Sequence, residues 1–515
     1  MRIAGLPLHY VAIGSAFPAA RARATPAQWQ EAARLVHEAG QRLVALWGAD
    51  ERDRGAGFSV YAAYATKDGL VVTELALPAE DPRYADLSGL FPAANRMQRA
   101  LFDLLGVRAE GADDERPWLR HAAWPADAFP LRRDFDAAEM RDNPQEQYPF
   151  VRVEGDGVHE IPVGPIHAGI IEPGHFRFSV VGEKVLRLEE RLGYTHKGID
   201  KRFESFAIAD GHRLAGRVSG DSTVAYAWAY AQAAEAACGV APPARACWLR
   251  ALFLERERVA NHLGDLGALG NDAALGFAMA QFSRLKEDWL RLNGDIFGHR
   301  FLMDAIVPGG AARDLDATQA ERMVRQVQSI EAEVLAMHDI YDEHAGLQDR
   351  FLTTGRVTSD LARRLGLAGL AGRASGQAFD LRADFPAKPY DELEVRKVTL
   401  PGGDVAARAQ ARFEEIAESL RLIGAILLRL PAGEIATALP VPAPGAFGAG
   451  WVEGWRGEVL VALEAGEGGM IRRCHAHDPS WQNWPIIEHA VMGNIVPDFP
   501  LINKSFNLSY SGVDC

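Results

Sequence analysis

The sequence predicts an α+β fold in which a small N-terminal α/β module precedes a larger, mainly helical domain with peripheral β-strands. Near the N-terminus, short apolar runs suited to strands flank the turn Lys67-Asp68-Gly69. Beyond Thr223, long segments repeat apolar residues at helical spacing. With 515 residues, the chain is long enough for two or more domains and a large buried core.

In the N-terminal module, residues 1–135, the pattern predicts an amphipathic helix over Ala27–Trp47. Two strands are predicted at Phe58–Tyr64 and Leu70–Leu77. The first residues predict a strand or loop rather than a signal peptide, because Pro7 and His9 interrupt the apolar run. No stretch approaches the roughly 18 apolar residues of a membrane span, so we expect any attachment to a membrane to depend on partners.

A polar linker is predicted over residues 136–150, followed by the large domain over residues 151–515. This domain begins with predicted strands at Val151–Val153 and Phe176–Val180. Its helical part is predicted from two apolar helix faces and two long helical spans, namely Leu252, Val259, Leu263 and Leu266, then Phe282, Leu285, Trp289 and Leu292, then Thr318–His344 and Val405–Leu430. A short β insertion is predicted at Gly450–Arg472.

Composition excludes several classes of function. The formal charge of −14 argues against nucleic-acid binding. The chain has four cysteines and no CxxC pair, which fits a reducing compartment and provides no zinc or iron–sulfur cradle.

Several motifs, taken in order, resemble the large subunit of nickel–iron (NiFe) hydrogenases. They are G-P-I-H-A-G at 164–169, the run from Tyr194 to Lys201, R-A-S-G at 373–376 followed by D-L-R at 380–382, and N-W-P at 483–485. The resemblance is to the membrane-bound, energy-converting group related to complex I, which includes formate hydrogenlyase large subunits. In the N-terminal module, D-L-L-G-V at 103–107 and P-L-R-R-D-F at 130–135 are similar to the signature of the small hydrogenase-associated subunit of complex I.

The resemblance implies a metal site whose ligands are missing. In the family, R-x-C-G-x-C and D-P-C-x-x-C supply four thiolates that hold nickel and iron. The corresponding stretches here read R-V-S-G-D-S at 217–222 and N-L-S-Y-S-G at 507–512, which places Ser219, Ser222, Ser509 and Gly512 at the ligand positions. A serine hydroxyl does not ionise near neutral pH and is a hard, weak donor for nickel. We therefore expect no metal and no other cofactor on this chain.

Two interpretations of these positions remain open. In the first, the old site is ordinary packing, with Asp221 or Ser222 capping the following helix, a contribution of about 1 kcal/mol. In the second, the site is a remodelled polar cavity that holds water, a proton or a small substrate. Its lining would be Ser219, Asp221, Ser222, Tyr226, Ser509 and Ser511.

Further candidate site residues follow from the resemblance. Asp200 stands where hydrogenases place a proton-relaying glutamate, His167 lies in a loop that faces the cofactor in relatives, and Arg373 resembles the arginine over the active site. Arg217 and Tyr226 belong to the first metal motif, with Tyr226 at the family's histidine. An ion-paired Asp200 and a hydrogen-bonded loop His167 are the structural alternatives.

The two quinone ligands of the complex I relatives are not in place. The tyrosine position falls on Gly220, and the histidine position falls between Ile171 and Pro173. This weakens the prediction of a quinone site of the complex I type, which belongs to an NADH-dependent enzyme.

Two functions are compatible with the sequence. In the first, the chain is the large subunit of a complex-I-like, membrane-attached complex that is not a hydrogenase and contributes to a redox- or proton-coupled step. In the second, it is a non-catalytic structural and coupling subunit. The resemblance implies an iron–sulfur small subunit, antiporter-like membrane subunits and other hydrophilic subunits as partners, and a peripheral location on the cytoplasmic face of the inner membrane.

Overall fold

The computed structural model describes residues 1–136, 147–167 and 171–515. Its architecture is α+β, with a sheet-based N-terminal module followed by a mainly helical domain that carries small sheets, so the predicted fold class is confirmed. Most of the predicted linker, residues 137–146, lies outside the described residues. Among the described residues, no helix has both the length and the apolar character needed to cross a membrane.

The N-terminal module is built around a mixed five-stranded sheet. Its elements are β1 (Val11–Ala12), β2 (Ala19–Ala24), α1 (Pro26–Glu38), β3 (Arg42–Asp50), β4 (Phe58–Thr66), β5 (Gly69–Leu77), β6 (Arg83–Ala85), α2 (Ala94–Leu105) and β7 (Arg108–Glu110). The strand order is β1-β2-β5-β4-β3, with β2 and β5 parallel and the other neighbours antiparallel. Both helices contact this sheet, and β6 pairs with β7 beside it.

The prediction of one helix over Ala27–Trp47 is wrong in its second half. Helix α1 begins at a capping box, in which Thr25 and Gln28 exchange hydrogen bonds, and it ends at Glu38. Gly40 then adopts a φ of +67°, and the chain continues as β3. Nearly every residue of β3 is buried, so its sequence lacks the alternation that would have distinguished it from a helix.

The large domain opens with a three-stranded antiparallel sheet in the order β10-β9-β8. Its elements and the short helices after them are β8 (Val158–Val163), β9 (His175–Val181), β10 (Lys184–Arg191), α3 (Ile199–Phe203) and α4 (His212–Ala215). The strand predicted at Val151–Val153 is wrong, because the chain there is irregular and the first strand begins seven residues later, at Val158. The main chain at Val151 instead donates a hydrogen bond to Glu189.

Long helices form the middle of the large domain and confirm the predicted helical core. They are α5 (Thr223–Cys238), α6 (Ala244–Asp272), α7 (Gly276–Phe297), α8 (Ala317–Glu343) and α14 (Val405–Arg429). Shorter elements lie between them, namely β11 (Ile306–Val307), β12 (Gly310–Ala311), α9 (Ala345–Phe351), α10 (Ser359–Leu365), α11 (Gly369–Arg373), α12 (Leu381–Asp384) and α13 (Tyr390–Leu393). Each predicted apolar face is buried in one shared core.

The C-terminal part adds an antiparallel sheet and two helices. These are β13 (Phe447–Glu453), β14 (Glu458–Ala465), β15 (Ile471–His477), α15 (Ser480–Ala490) and α16 (Phe499–Phe506). The predicted β insertion is therefore confirmed. Strand β13 lies directly on α5, because Gly448 and Gly450 have no side chains to hold the two elements apart.

A second apolar core joins the N-terminal module to the C-terminal segment. It contains Ile3 and Leu6 as well as Trp484 and Val513. Charged pairs cross the same junction: Arg42 with Glu458 at 2.5 Å, and Arg472 with Asp53 and Glu51 at 2.7 Å each. The two modules thus share a core as well as a covalent chain.

Candidate functional site

Two segments that are distant in sequence meet at the start of α5. Ser219 donates a hydrogen bond to Asp221 (2.9 Å), so its oxygen accepts from the hydroxyl of Ser509, 2.8 Å away. The oxygen of Ser509 in turn accepts from the main-chain N–H of Gly512 at 2.9 Å. Ser219, Ser509 and Gly512, which carry these two hydroxyls and the main-chain N–H, are all buried. We call Ser219, Ser222, Ser509 and Gly512 the serine cluster.

An arginine from the β13–β14 turn enters the serine cluster. Arg456 forms a two-pronged ion pair with Asp221, at 2.7 and 2.6 Å, and donates to the hydroxyl of Ser222 at 3.2 Å. Its guanidinium lies 3.9 Å from the ring centre of Trp455. The Asp221 side chain is 39% exposed, so the cluster reaches the surface there. Partial burial would raise the pKa of Asp221, but Arg456 outweighs this and lowers it.

A carboxylate occupies the space beside Gly512. A Cβ atom built on Gly512 would lie only 2.6 Å from the carboxyl group of Asp478. Asp478 is held in this position by Tyr226, whose hydroxyl donates to it at 2.8 Å, and by the main-chain N–H of Ser480, also at 2.8 Å. A side chain at position 512 therefore has no room unless Asp478 moves.

Asp200 forms a separate buried site close to the serine cluster. One of its carboxylate oxygens, Oδ2, accepts from Arg473 at 2.8 Å and lies 3.1 Å from Nδ1 of His475. Burial alone would raise the pKa of Asp200, but Arg473 and His475 outweigh it and hold the pKa well below its usual value. Asp200 is therefore ionised at neutral pH. Cys515 borders the same cavity as Asp200, and burial raises the pKa of its thiol, with the charges of Asp200 and Asp478 adding to the effect.

Comparison with known proteins identifies the family. Residues 22–141 match the respiratory-chain NADH dehydrogenase 30 Kd subunit, and residues 273–446 match the 49 Kd subunit. Formate hydrogenlyase subunit 5 of Escherichia coli (strain K12) is 30% identical over 491 residues, which cover 93% of this chain and 86% of that protein. The chain belongs to the family of complex I and membrane-bound hydrogenase large subunits.

Further relatives fit the same family. Hydrogenase-4 component G of Escherichia coli (strain K12) is 29% identical over 479 residues, covering 92% of this chain and 83% of that protein. A chain of the membrane-bound sulfane sulfur reductase, an archaeal respiratory membrane complex, has the same fold with a TM-score of 0.66 and 23% identity, covering 70% of this chain and 99% of that one. Members of the family are thus subunits of multisubunit membrane complexes.

The serine cluster does not fit the nickel–iron centre that part of this family is named for. Three hydroxyls and a glycine offer no soft thiolate donor, and the positively charged guanidinium of Arg456 lies 3.2 Å from the hydroxyl of Ser222, where it would repel a cation. The carboxyl group of Asp478 leaves no space for a ligand side chain at position 512. Within residues 1–136, 147–167 and 171–515, no group of three or more His, Cys, Asp or Glu side chains is arranged to hold a metal ion.

The first turn of α5 is not capped by Asp221 or Ser222, as one interpretation of the sequence had it. Neither Ser222 nor Asp221 makes a side-chain cap to the helix. Instead, the carboxyl group of Glu257 accepts from the main-chain N–H groups of Val224 at 2.6 Å and Ala225 at 3.2 Å. The side chains of Asp221 and Ser222 are thereby left for Arg456.

Arg217 and Arg373 form their ion pairs outside the serine cluster. Arg217 pairs with Asp304 at 2.7 Å on the surface. Arg373 is buried in a different charged group, where it pairs with Glu415 and Glu453 at 2.7 Å each. His167 lies in the loop after β8, next to residues outside the described part of the chain. No hydrogen bond described for these residues joins Arg217 or Arg373 to the serine cluster.

Of the sequence candidates, the structure brings together Ser219, Asp221, Ser222 and Ser509. Tyr226 lies beside them, because its hydrogen-bond partner Asp478 packs against Gly512. Sequence reasoning missed Arg456 and Asp478. Arg456 follows Trp455 in a glycine-flanked turn, and Asp478 precedes Pro479, so both are typical of turns and gave no signal of a site.

Proposed function

We propose that this chain is the large subunit of a complex-I-like, membrane-attached respiratory or energy-converting complex and that it is not a hydrogenase. The relatives named as formate hydrogenlyase and hydrogenase-4 subunits, and the fold shared with a respiratory membrane complex, support the first part. One observation carries the second part: the carboxyl group of Asp478 and the guanidinium of Arg456 take up the space and the charge that a metal centre would need.

We propose that the proton-coupled step of this subunit takes place at Asp200 and not at the serine cluster. The hydroxyl groups of the serine cluster all take part in hydrogen bonds and are closely packed. This arrangement is more typical of a packed interior than of a substrate pocket. Asp200, in contrast, is an ionised buried carboxylate with one oxygen, Oδ1, that has no partner among the described residues. Because Arg473 and His475 hold its pKa well below the usual value, Asp200 stays ionised, and its part in a proton-coupled step would be to stabilise the positive charge of a neighbouring proton carrier.

The partners proposed for this subunit are an iron–sulfur small subunit, antiporter-like membrane subunits and other hydrophilic subunits. The serine cluster reaches the surface at Gly220 and Asp221, which offers the small subunit a docking point beside the old metal position. No cofactor is bound by this chain in the proposal, and the iron–sulfur cluster belongs to the small subunit. The complex would lie on the cytoplasmic face of the inner membrane, held there by its membrane subunits.

The second candidate is a non-catalytic structural and coupling subunit. It is favoured by the close packing of the serine cluster and by the core that joins both modules. In that role the fold would transmit contacts between the small subunit and the membrane subunits, and Asp200 would be an ordinary buried ion pair.

Metal analysis of the purified complex tests the first part of the proposal. Nickel, iron and acid-labile sulfide would be measured per large subunit, together with hydrogen–deuterium exchange activity on hydrogen gas. We expect iron and sulfide without nickel, and no exchange activity. Nickel near one atom per chain would show that the proposal is wrong.

Asp200→Asn separates the two roles. If Asp200 takes part in a proton-coupled step, the variant complex assembles normally but loses proton movement in inverted membrane vesicles. Asp210→Asn, a change at an exposed acidic residue in the connection between α3 and α4, is the control. Proton movement that survives Asp200→Asn in an intact complex would favour the structural role.

A further inference from the structure

A small cavity lies between the N-terminal module and the C-terminal sheet. About 30 Å³ of it is open to the centre of a water molecule, which is enough for one or two waters. One wall is apolar and comes mainly from β3 and α2, with Leu46, Trp47, Met97, Leu101 and Leu104 among its residues. The other wall is polar and includes Asp200, His475 and His477.

Four residues on the polar side carry buried atoms without a hydrogen-bond partner in the described parts of the chain. These atoms are Oδ1 of Asp200, Nε2 of His475, Nδ1 of His477 and Nε1 of Trp481. All four residues line the same cavity. Buried polar atoms are normally paired with protein or with ordered water, so four such atoms at one cavity indicate a binding site for a small polar ligand.

Neighbouring contacts fix what each atom can do. The side-chain amide of Gln482 donates to the carbonyl of Val44, so its oxygen faces His477 and accepts from Nε2 of that ring at 3.1 Å. Nδ1 of His477 is therefore an acceptor. Nδ1 of His475 donates to the carboxylate of Asp200, so Nε2 of the same ring is left to bond with a ligand in the cavity. The indole N–H of Trp481 is a donor.

The ligand must then supply at least two donors and one acceptor, fit a very small space and carry no charge. The guanidinium of Arg473 lies 2.8 Å from the carboxylate of Asp200 and balances its negative charge. Its Nε donates to the carbonyl of Gly48, so this ion pair does not require a bound ion. Burial lowers the pKa of His477 to about 3, with the neighbouring His475 adding to the effect, so this ring is neutral at physiological pH. Water meets all of these requirements.

We propose that this cavity binds ordered water that connects Asp200 with His475 and His477 beneath the N-terminal sheet. The water would accept from Trp481 and donate to Oδ1 of Asp200 and Nδ1 of His477. This goes beyond the proposed function, because it concerns what the cavity holds and applies equally if the chain has only a structural role. The N-terminal module contributes to this water site as well. The ring of Trp47 stacks on that of His475, with the ring centres 5.3 Å apart.

A density map of the purified complex at a resolution that shows ordered water tests the proposal. We expect a peak at hydrogen-bond distance, about 2.6–3.2 Å, from Oδ1 of Asp200 and from at least one of the two imidazole nitrogens. A dry cavity would overturn the proposal. So would a shift that pairs Asp200 Oδ1 directly with Trp481.

The variant His477→Phe removes one acceptor and fills space, so we expect the peak to be displaced or lost. His489→Phe, a change at a histidine of a separate cleft, should leave it in place. A peak unchanged by His477→Phe would exclude His477 from the site. If that variant does not fold, the map of the unaltered complex decides the question alone.

Discussion

At the residue scale, the contact between Gly512 and Asp478 makes the serine cluster sensitive to a single added methyl group. Gly512→Ala places a Cβ 2.6 Å from the Asp478 carboxyl group, which must move and weaken its bond to Tyr226. We expect a loss of about 1–3 kcal/mol in the free energy of unfolding, the usual cost of overpacking. Denaturant unfolding of the purified chain measures it.

Gly220→Ala is the control for this change. Gly220 lies in the turn that begins at Ser219, and an added Cβ there meets nothing within 4 Å. We expect an effect within about 0.5 kcal/mol. Equal losses in the two variants would contradict the packing described for Asp478.

His121 gives a prediction about acid stability. Burial, with Arg191 nearby, lowers its pKa to about 4, below the value of about 6.5 expected for an unfolded chain. The unfolded state therefore takes up the proton first, and stability falls as the pH drops from about 6.5 towards 4, by roughly 3 kcal/mol in total. His121→Gln can still donate to the carbonyl of Leu192, so unfolding measured between pH 7.5 and 4.5 should become less pH-dependent.

The exposed His9 supplies the comparison, because His9→Gln should leave the pH dependence unchanged. A variant His121→Gln with the same acid sensitivity as the unaltered chain would mean that other groups control it.

The serine cluster was predictable at this scale only in part. Ser219, Ser222, Ser509 and Gly512 were located by motifs that keep their framework when their ligands change. Arg456 and Asp478 were not, because Arg456 lies 235 residues from its partner Asp221 and Asp478 lies 252 residues from its partner Tyr226, and local sequence carries no record of such contacts. The capping interpretation of Ser222 was wrong for the same reason, since Glu257 comes from another helix.

At the element scale, the direct contact of β13 with α5 depends on two glycines. A Cβ on Gly450 would lie 1.8 Å from the main-chain oxygen of Ala229 in α5, a clash that only separation of strand and helix relieves. We expect Gly450→Ala to cost about 3 kcal/mol or more. Gly424→Ala, in the interior of α14 with open space around it, should instead stabilise by about 0.5–1 kcal/mol. Thermal unfolding of the two variants should therefore shift in opposite directions.

Elements were predictable where one face meets solvent. The apolar stripes of α7 and α8 are regular, and their spans were located to within a residue or two where bounds were given. The strand β3 was absorbed into a predicted helix because it is buried on both sides and shows no alternation. Sequence periodicity reflects the difference between a buried and an exposed face of an element. It therefore gives no prediction for an element that is buried on both faces.

At the scale of the whole molecule, the shared core predicts that the two modules stay together without a covalent link. A protease site inserted between residues 137 and 146 would allow the chain to be cut after folding. We expect the two pieces to co-elute in size-exclusion chromatography, because the apolar core and the Arg42–Glu458 and Arg472–Asp53 pairs hold them. Adding Arg42→Ala and Arg472→Ala should weaken this association, whereas separation without those changes would contradict the shared core.

The same core has a consequence for how the protein is made. Ile3 and Leu6 pack in one cluster with Val513, so that cluster cannot close until almost the whole chain has left the ribosome. At about 5–20 residues per second, the first of these side chains waits roughly 25–100 s for the last. During this interval the nascent N-terminal sheet exposes to solvent the apolar face that later packs against Trp451 and Leu460. Chaperone capture during translation is therefore an expected stage in the biogenesis of this subunit.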